Sequence, residues 1–288
     1  MSRVLVLAGP TAAGKTAAAI EVARRFGAVV LSADAMQVYR GMDVGTGKAS
    51  AEERAEVPHY GLDLVDPDES FDAAAFVALA DRVRTDHDRV VVAGGTSLYL
   101  QALIRGLVAT PPVDPALRAE LEALPDLHRA LSEVDPALAA RLHPNDRVRL
   151  VRGLEVFRAT GQRLSELQDR HAREPDRVPA VGVWLDRDDL DERIDRRVGA
   201  MLAGGYVDEV RRLLDRGYAR TLKPMQSLGY RHLCDHVLDG LALDEARRRT
   251  IRDTRRFARK QRTWMRTLGF PRRDDVLAAA SEAFDRER

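Results

Sequence analysis

The chain has 288 residues, a net charge of only +1 and one cysteine, Cys234. That length can bury a sizeable core, as one large domain or as a core carrying an inserted piece. A single cysteine excludes an internal disulfide and a cysteine metal cluster, and no run approaches the ~20 apolar residues of a membrane span, so a cytoplasmic protein without a membrane partner is expected. Charge is unevenly spread: residues 1–111 hold 11 basic and 14 acidic side chains, whereas residues 247–266 hold ten basic and one acidic.

The first run, RVLVLAG, is a short apolar run rich in β-branched residues, as a buried parallel strand should be. It is too short for a signal peptide. TAAGKTAAAIEVARRF reads as a helix, AVVLSAD as a second strand and HYGLDLV as a weaker third. FDAAAFVALADRVRT is helical and RVVVAGG is a fourth strand. TPPVDP at 110–115 breaks the pattern, and from Ala116 to about Gln168 the text is helical and charged, with no strand. AVGVWLD at 180–186 returns as a fifth strand, and the remainder is helical. This predicts an α/β, P-loop NTPase-like parallel sheet flanked by helices, with an inserted all-helical subdomain and a helical C-terminal part. The expected division is residues 1–112 for the first part of the core, 113–175 for the insertion and 176–288 for the second part with basic C-terminal helices. In such sheets ligands bind at the carboxyl ends of the strands.

GPTAAGKT, Gly9 to Thr16, fits G-x-x-x-x-G-K-[ST] between a strand and a helix, the context in which that motif makes a phosphate site. Small residues let backbone N–H groups wrap an anion, the helix adds its positive end, Lys15 adds a full charge, and the Thr16 hydroxyl can join a Mg²⁺ shell. The motif does not specify which polyphosphate. There is no guanine-reading N-K-x-D, and RVVVAGG ends in Gly-Gly-Thr where many ATPases carry an acid. Asp34 ends the second strand, where it can serve as a general base or help hold a metal; a turn-capping role is the alternative.

Eight segments in order carry a resemblance over nearly the whole chain: GPTAAGKT, SADAMQVYRGMDVGTGK, VPHY, AGGTSLYLQAL, HPNDRVRLVRGLEVFRATGQRLSE, LDERIDRRVGAMLAGGYVDEV, MQSLGYRH and RRFARKQRTWMR. Together they resemble the tRNA dimethylallyltransferase family. The resemblance implies transfer of a dimethylallyl group from dimethylallyl pyrophosphate to N6 of the adenosine 3′ of the anticodon, with Mg²⁺, by a monomer acting on the anticodon stem-loop. It implies that Gly9, Pro10, Thr11, Ala12, Ala13, Gly14, Lys15 and Thr16 hold pyrophosphate and that Arg197 clamps it. Asp34 would take the N6 proton, with Lys15, Thr96 and Arg197 completing the catalytic set. Ala35, Met36, Gln37 and Thr96 would meet the tRNA beside a flipped base. Thr96 is equally readable as a helix N-cap, and Arg193 and Arg197 share a helix face through their spacing of four. The family usually has Ser where Ala13 stands, a polar residue where Ala35 stands and often Gly where Ser97 stands, which implies altered affinity with the chemistry retained.

At 100° per residue, Arg248, Arg252, Arg255, Arg259, Arg262 and Arg266 fall within an arc of about 80°, and Ile251, Phe257, Ala258, Trp264, Met265 and Leu268 fall on another. One face is expected to pack and its neighbour to present guanidiniums to phosphates, since only Asp253 within 247–266 offers local pairing. Arg255, Arg259 and Arg262 are the tRNA candidates there. In the insertion the candidates are Arg147, Arg149 and Arg152, with Arg118 the weaker one. A small-molecule kinase using ATP is the main alternative. It shares the loop and Asp34 and does not need the basic helix. A prenyltransferase of free adenine nucleotides and a non-catalytic RNA-binding protein each leave part of the pattern unused.

Overall fold

The computed structural model describes residues 4–273 and 275–285. Its contacts divide the chain into two units, Met1–Ile104 with Arg177–Arg288, and Arg105–Asp176, where the sequence reading sets the insertion at 113–175. In chain order the elements begin β1 (Val4–Ala8), α1 (Lys15–Phe26), β2 (Val29–Ala33), α2 (Ala51–Glu56), β3 (His59–Tyr60), α3 (Ala73–Asp86), β4 (Val90–Gly94) and α4 (Ser97–Arg105). The second unit adds α5 (Pro115–Glu122), α6 (Leu127–Val134), α7 (Pro136–Ala139), α8 (Arg147–Thr160) and α9 (Leu164–His171). The chain then returns as β5 (Ala180–Trp184), α10 (Leu190–Ala203), α11 (Tyr206–Asp215), α12 (Tyr230–Asp239), α13 (Leu243–Met265) and α14 (Val276–Phe284).

The five strands form one sheet in the order β3-β2-β4-β1-β5, with every neighbouring pair parallel. All five residues of β1 are buried because both faces of the sheet are covered. Alternate residues serve opposite faces. Leu5, Leu7, Val30, Val91, Val181 and Val183 pack with the apolar sides of α1 and α14. Val4, Val6, Leu31 and Val92 pack with Phe76, Leu79 and Val83 of α3 and Leu100 and Leu103 of α4. β3 is shorter than HYGLDLV suggested. Gly61 enters the left-handed region with φ 83°, which turns the chain away after Tyr60.

From β1 the chain passes over β4 to reach β2, and from β4 it passes over β1 to reach β5. The two connections leave in opposite directions, so a crevice opens at the carboxyl ends of β1 and β4. Beside the sheet, α11 and α12 close on Val38, Tyr39 and Met42, and α10 and α13 share Ile194, Val198, Ile251 and Ala258.

The second unit is built on Leu121, Leu131, Leu138, Leu150 and Leu154. Asp114, Asp126, Asp135 and Asp146 cap its helices, each accepting a backbone N–H of the following first turn. Asp135 is fully buried and also accepts the Ser165 amide at 2.9 Å and hydroxyl at 2.6 Å, so one carboxylate joins α7 to α9. No helix among the described residues is long and apolar enough to cross a membrane.

Candidate active site

The crevice at the switch of strand order holds the loop 9–14. Its glycines answer to close approach: a Cβ on Gly9 would lie 2.3 Å from the Leu185 carbonyl oxygen, and one on Gly94 would lie 2.1 Å from that of Ala33. Gly14 has φ 94°, and Ala12 takes φ 65°, a left-handed conformation that costs a non-glycine residue roughly 1–2 kcal/mol. Arg193 Nε donates to the Ala12 carbonyl at 2.8 Å and holds that turn from α10. Gly14 opens α1 without a side-chain cap, which leaves the first-turn N–H groups available to an anion. Thr11 and Thr16 line the same cleft, whose volume is about 1120 Å³.

Three charges converge in it. Lys15 Nζ donates to the Pro10 carbonyl at 2.7 Å. Burial pulls its ammonium down from 10.5 to about 8, an effect that Asp34 opposes and Arg197 reinforces. Burial also draws the Arg197 guanidinium below its ordinary value, again opposed by Asp34. Asp34 follows β2, and its Oδ1 accepts the Met36 amide at 2.8 Å, so the turn-capping role and a place in the cleft coexist. Its other carboxylate oxygen has no hydrogen-bond partner among the described residues.

Thr96 does not cap α4 with its hydroxyl. Oγ1 accepts the Ala35 amide at 3.0 Å and ties the ends of β4 and β2 together. Gln37 is likewise engaged: Oε1 accepts the Ser32 hydroxyl at 2.7 Å, and Nε2 donates to the Thr46 and Gly47 carbonyls at 3.3 and 3.2 Å. Arg197 Nη2 donates to the same Thr46 carbonyl at 3.3 Å. Ala35, Met36, Gln37 and Thr96 all line the cleft.

α13 departs from the two-arc expectation. Ile251, Ala258 and Met265 are buried, but Phe257 and Trp264 are 41 % and 39 % exposed and line the cleft with Lys260 and Gln261. They lie about 100–120° around the helix from the buried stripe, too far to share its packing. The arginine arc lies on the stripe's other flank and lines no part of the cleft. Local pairing is also richer than the stretch 247–266 suggested. Arg248 meets Glu245, Arg252 meets Asp253, Arg255 lies 3.8 Å from Asp191 and Arg262 lies 2.8 Å from Asp186. Three of those acids lie outside that stretch and are brought in by one helical turn or by tertiary packing. Arg259 and Arg266 carry no ion pair among the described residues.

In the second unit, Arg147 donates to the Glu122 carbonyl at 2.6 Å and Arg149 pairs with Asp146 at 3.2 Å. Arg118 and Arg152 both lie 3.2 Å from the buried Glu155, and Arg152 also donates to Thr110 Oγ1 at 2.7 Å. Arg147 and Arg149 remain largely exposed, whereas Arg118 and Arg152 are half-buried.

Gln261 escaped the sequence reading. It is buried, accepts the Thr11 amide on Oε1 at 2.9 Å and donates through Nε2 to the Gly95 carbonyl at 2.9 Å. One side chain from α13 thus joins the phosphate loop to the end of β4. The available signal was an amide on the inward half of a helix otherwise crowded with arginine. Glu209 was missed too, although it stands among Tyr206, Val210 and Leu213 on the buried side of α11.

A profile of the IPP transferase family matches residues 37–268. The chain is similar to the tRNA dimethylallyltransferase of Geobacter metallireducens, with 49 % identity over 277 residues covering 92 % of this chain and 90 % of that one. It is similar to tRNA dimethylallyltransferase 1 of Syntrophotalea carbinolica, with 50 % identity covering 91 % and 87 %. Among solved structures it resembles the full-length tRNA isopentenylpyrophosphate transferase of Bacillus halodurans, with TM-score 0.67 and 37 % identity over 92 % of this chain and 87 % of that one. A eukaryotic dimethylallyltransferase solved acting on tRNA shares the fold, with TM-score 0.81 and 24 % identity over 98 % and 73 % of the two chains.

Proposed function

The chain belongs to the IPP transferase family, and we propose that it transfers a dimethylallyl group from dimethylallyl pyrophosphate to N6 of the adenosine 3′-adjacent to the anticodon of tRNA. The observation that carries this reading is the single cleft in which an uncapped helix N-terminus, Lys15 and Arg197 meet Asp34. Cations and amides answer to pyrophosphate, and a carboxylate oxygen without a hydrogen-bond partner among the described residues answers to an amine proton.

The exocyclic amine attacks the first allyl carbon as the bond from that carbon to the bridging oxygen breaks. Negative charge grows on the departing pyrophosphate, where Lys15, the first-turn amides of α1 and Arg197 stabilise it. Asp34 accepts the proton released from N6, a contribution of about 10²–10⁴ in rate. Its Oδ1 bond to Met36 orients the carboxylate for this. Thr96 acts by holding Ala35, and hence the Asp34 turn, against β4. Gln37 acts by holding the Thr46 carbonyl that Arg197 also meets.

Mg²⁺ fits the donor chemistry. No group of three or more His, Cys, Asp or Glu among the described residues could hold a metal, and the exposed Thr16 hydroxyl is a hard oxygen donor on the cleft wall. An ion there would be held by Thr16 and largely by pyrophosphate oxygens, as is usual for Mg²⁺, and when bound it would neutralise leaving-group charge.

For tRNA the reading draws on the mouth of the cleft, where Leu98, Phe257 and Trp264 are exposed beside Lys260 and Arg231. Aromatic faces and cations together suit unstacked bases and their phosphates. Arg259, Arg147 and Arg149 are further phosphate contacts, and Arg118, Arg152, Arg255 and Arg262 would exchange carboxylate partners for phosphates. The setting that goes with this reading is a cytoplasmic monomer.

The test is transfer itself. The protein is incubated with unmodified tRNA, dimethylallyl pyrophosphate and Mg²⁺, and the digested nucleosides are examined by mass spectrometry for an adenosine gaining one C5 unit. Asp34→Asn can keep the bond to Met36 and should slow product formation by about 10²–10⁴-fold while tRNA still binds. Absence of product, with ATP consumed on a small-molecule acceptor, would return the site to a kinase.

A further inference from the structure

We propose that Glu209 is a positioning residue for this reaction, acting on Arg197 through the segment 43–47; the proposal rests on the reading of Arg197 as a pyrophosphate clamp. Glu209 sits in the first turns of α11 and is 1 % exposed. A carboxylate so buried persists only when its lone pairs are filled. Here they are filled by four donors. Oε2 accepts the Asp43 and Val44 amides at 2.8 and 2.7 Å, and Oε1 accepts the Gly45 amide at 3.0 Å and the Tyr230 hydroxyl at 2.6 Å. Three successive amides wrapped on one anion make a nest, and this one fixes a segment that belongs to no helix or strand.

The segment has little room around its glycines. A Cβ on Gly45 would lie 2.1 Å from the Tyr206 ring, and one on Gly47 would lie 2.1 Å from Arg197 Nη2. Beyond the nest, Lys48 Nζ pins the same stretch by donating to the Tyr39 carbonyl at 2.6 Å, to Asp43 at 2.7 Å and to Asp63 at 2.6 Å. Between these anchors the Thr46 carbonyl receives both Arg197 Nη2 and Gln37 Nε2, and the Gly47 carbonyl receives Gln37 Nε2 again. The guanidinium therefore meets the carbonyl of Thr46, the residue that directly follows the three amides held by Glu209. Glu209 itself meets amides and a tyrosine and lines no part of the cleft.

Glu209→Gln keeps the size but replaces one acceptor oxygen with an NH₂ that faces N–H or O–H donors. Binding of inorganic pyrophosphate is measured by calorimetry for the wild type, E209Q, R197K and the double variant. E209Q should bind about tenfold more weakly or worse. The double variant should bind no more weakly than R197K alone, because both changes act through one contact. Tyr230→Phe removes one of the four donors and should weaken binding in the same direction by a smaller factor. Normal pyrophosphate affinity in E209Q, or losses that multiply in the double variant, would overturn the proposal, since a general loss of stability has no reason to be non-additive with Arg197. If E209Q does not fold, unchanged affinity in Y230F overturns it. A wild type that binds pyrophosphate but transfers no prenyl group refutes the proposed function while these affinities still decide the role of Glu209; a wild type that binds no pyrophosphate overturns both.

Discussion

Replacing Lys15 with methionine should stabilise the protein at neutral pH while abolishing its response to pyrophosphate. The folded chain holds this ammonium at about 8 instead of 10.5, chiefly by burial. Below pH 8 the native state therefore carries a charge that costs stability, on the order of 3 kcal/mol at about 1.4 kcal/mol for each tenfold loss of proton affinity. Two things reduce the gain. Lys15 keeps some contact with water in the cleft, and methionine gives up the bond to the Pro10 carbonyl, worth about 1 kcal/mol. The variant should then be about 1–2 kcal/mol more stable at pH 7, a few degrees in melting temperature. The sign with pH follows from proton counts. Between pH 8 and 10.5 the unfolded wild type binds more protons at Lys15 than the folded one, so wild-type stability rises across that window and the variant's advantage shrinks. Urea and thermal unfolding from pH 7 to 10.5, with and without pyrophosphate, measure both effects. Pyrophosphate should raise the wild-type melting temperature by mass action and leave that of the variant unmoved. A variant less stable than the wild type at pH 7, or an advantage independent of pH, would refute the account of Lys15 as a desolvated cation awaiting an anion.

Once the ligand's own ionisation is corrected for, the Lys15 contribution to pyrophosphate affinity should be constant below pH 8 and fall as pH rises above it, because binding then requires proton uptake by Lys15; calorimetry in buffers of different ionisation enthalpy, set against the proton count of free pyrophosphate, reads the uptake. Gly9→Ala places a methyl 2.3 Å from the Leu185 carbonyl and should cost about 2 kcal/mol or more, read as a lower urea midpoint. Gln261→Leu strands the Thr11 amide and the Gly95 carbonyl and should cost about 1–3 kcal/mol for each while weakening pyrophosphate binding, seen by unfolding and calorimetry together. Phe257→Ala and Trp264→Ala remove half-exposed rings, so stability should change by less than about 1 kcal/mol while tRNA affinity falls by about tenfold each in a filter-binding assay.

Much of the sheet was legible because its information is local. β1 and β4 are short continuous apolar runs carrying valines, the glycine-rich loop sits between a strand and a helix, and the helix it opens has its apolar residues at helical spacing. The helical character of the insertion was legible as a charged stretch without a strand candidate after the break at TPPVDP, and the structure has helices from Pro115 to His171 there. The failures share one cause. The arc arithmetic for α13 correctly separates arginines from Ile251, Ala258 and Met265, but it cannot tell which flank borders the cleft. Spacing alone therefore groups Phe257 and Trp264 with the packing face and shows the arginines none of the partners that Asp186 and Asp191 supply. Gln261 and Glu209 were passed over because each looks, within its own helix, like one more polar residue.

From the sequence alone come the chemistry of the groups, the identity of the strands and the loop that meets phosphate, since each is written in residues a few positions apart. The tertiary structure decides which groups meet. The order β3-β2-β4-β1-β5 opens the crevice between β1 and β4, and α13 brings Gln261 to the Thr11 amide across 250 residues of chain. α11 brings Glu209 to the Asp43 amide across 166. A side chain's type and the face it occupies follow from local backbone geometry, but its partner depends on how distant elements pack, and that is settled by the burial of the whole core.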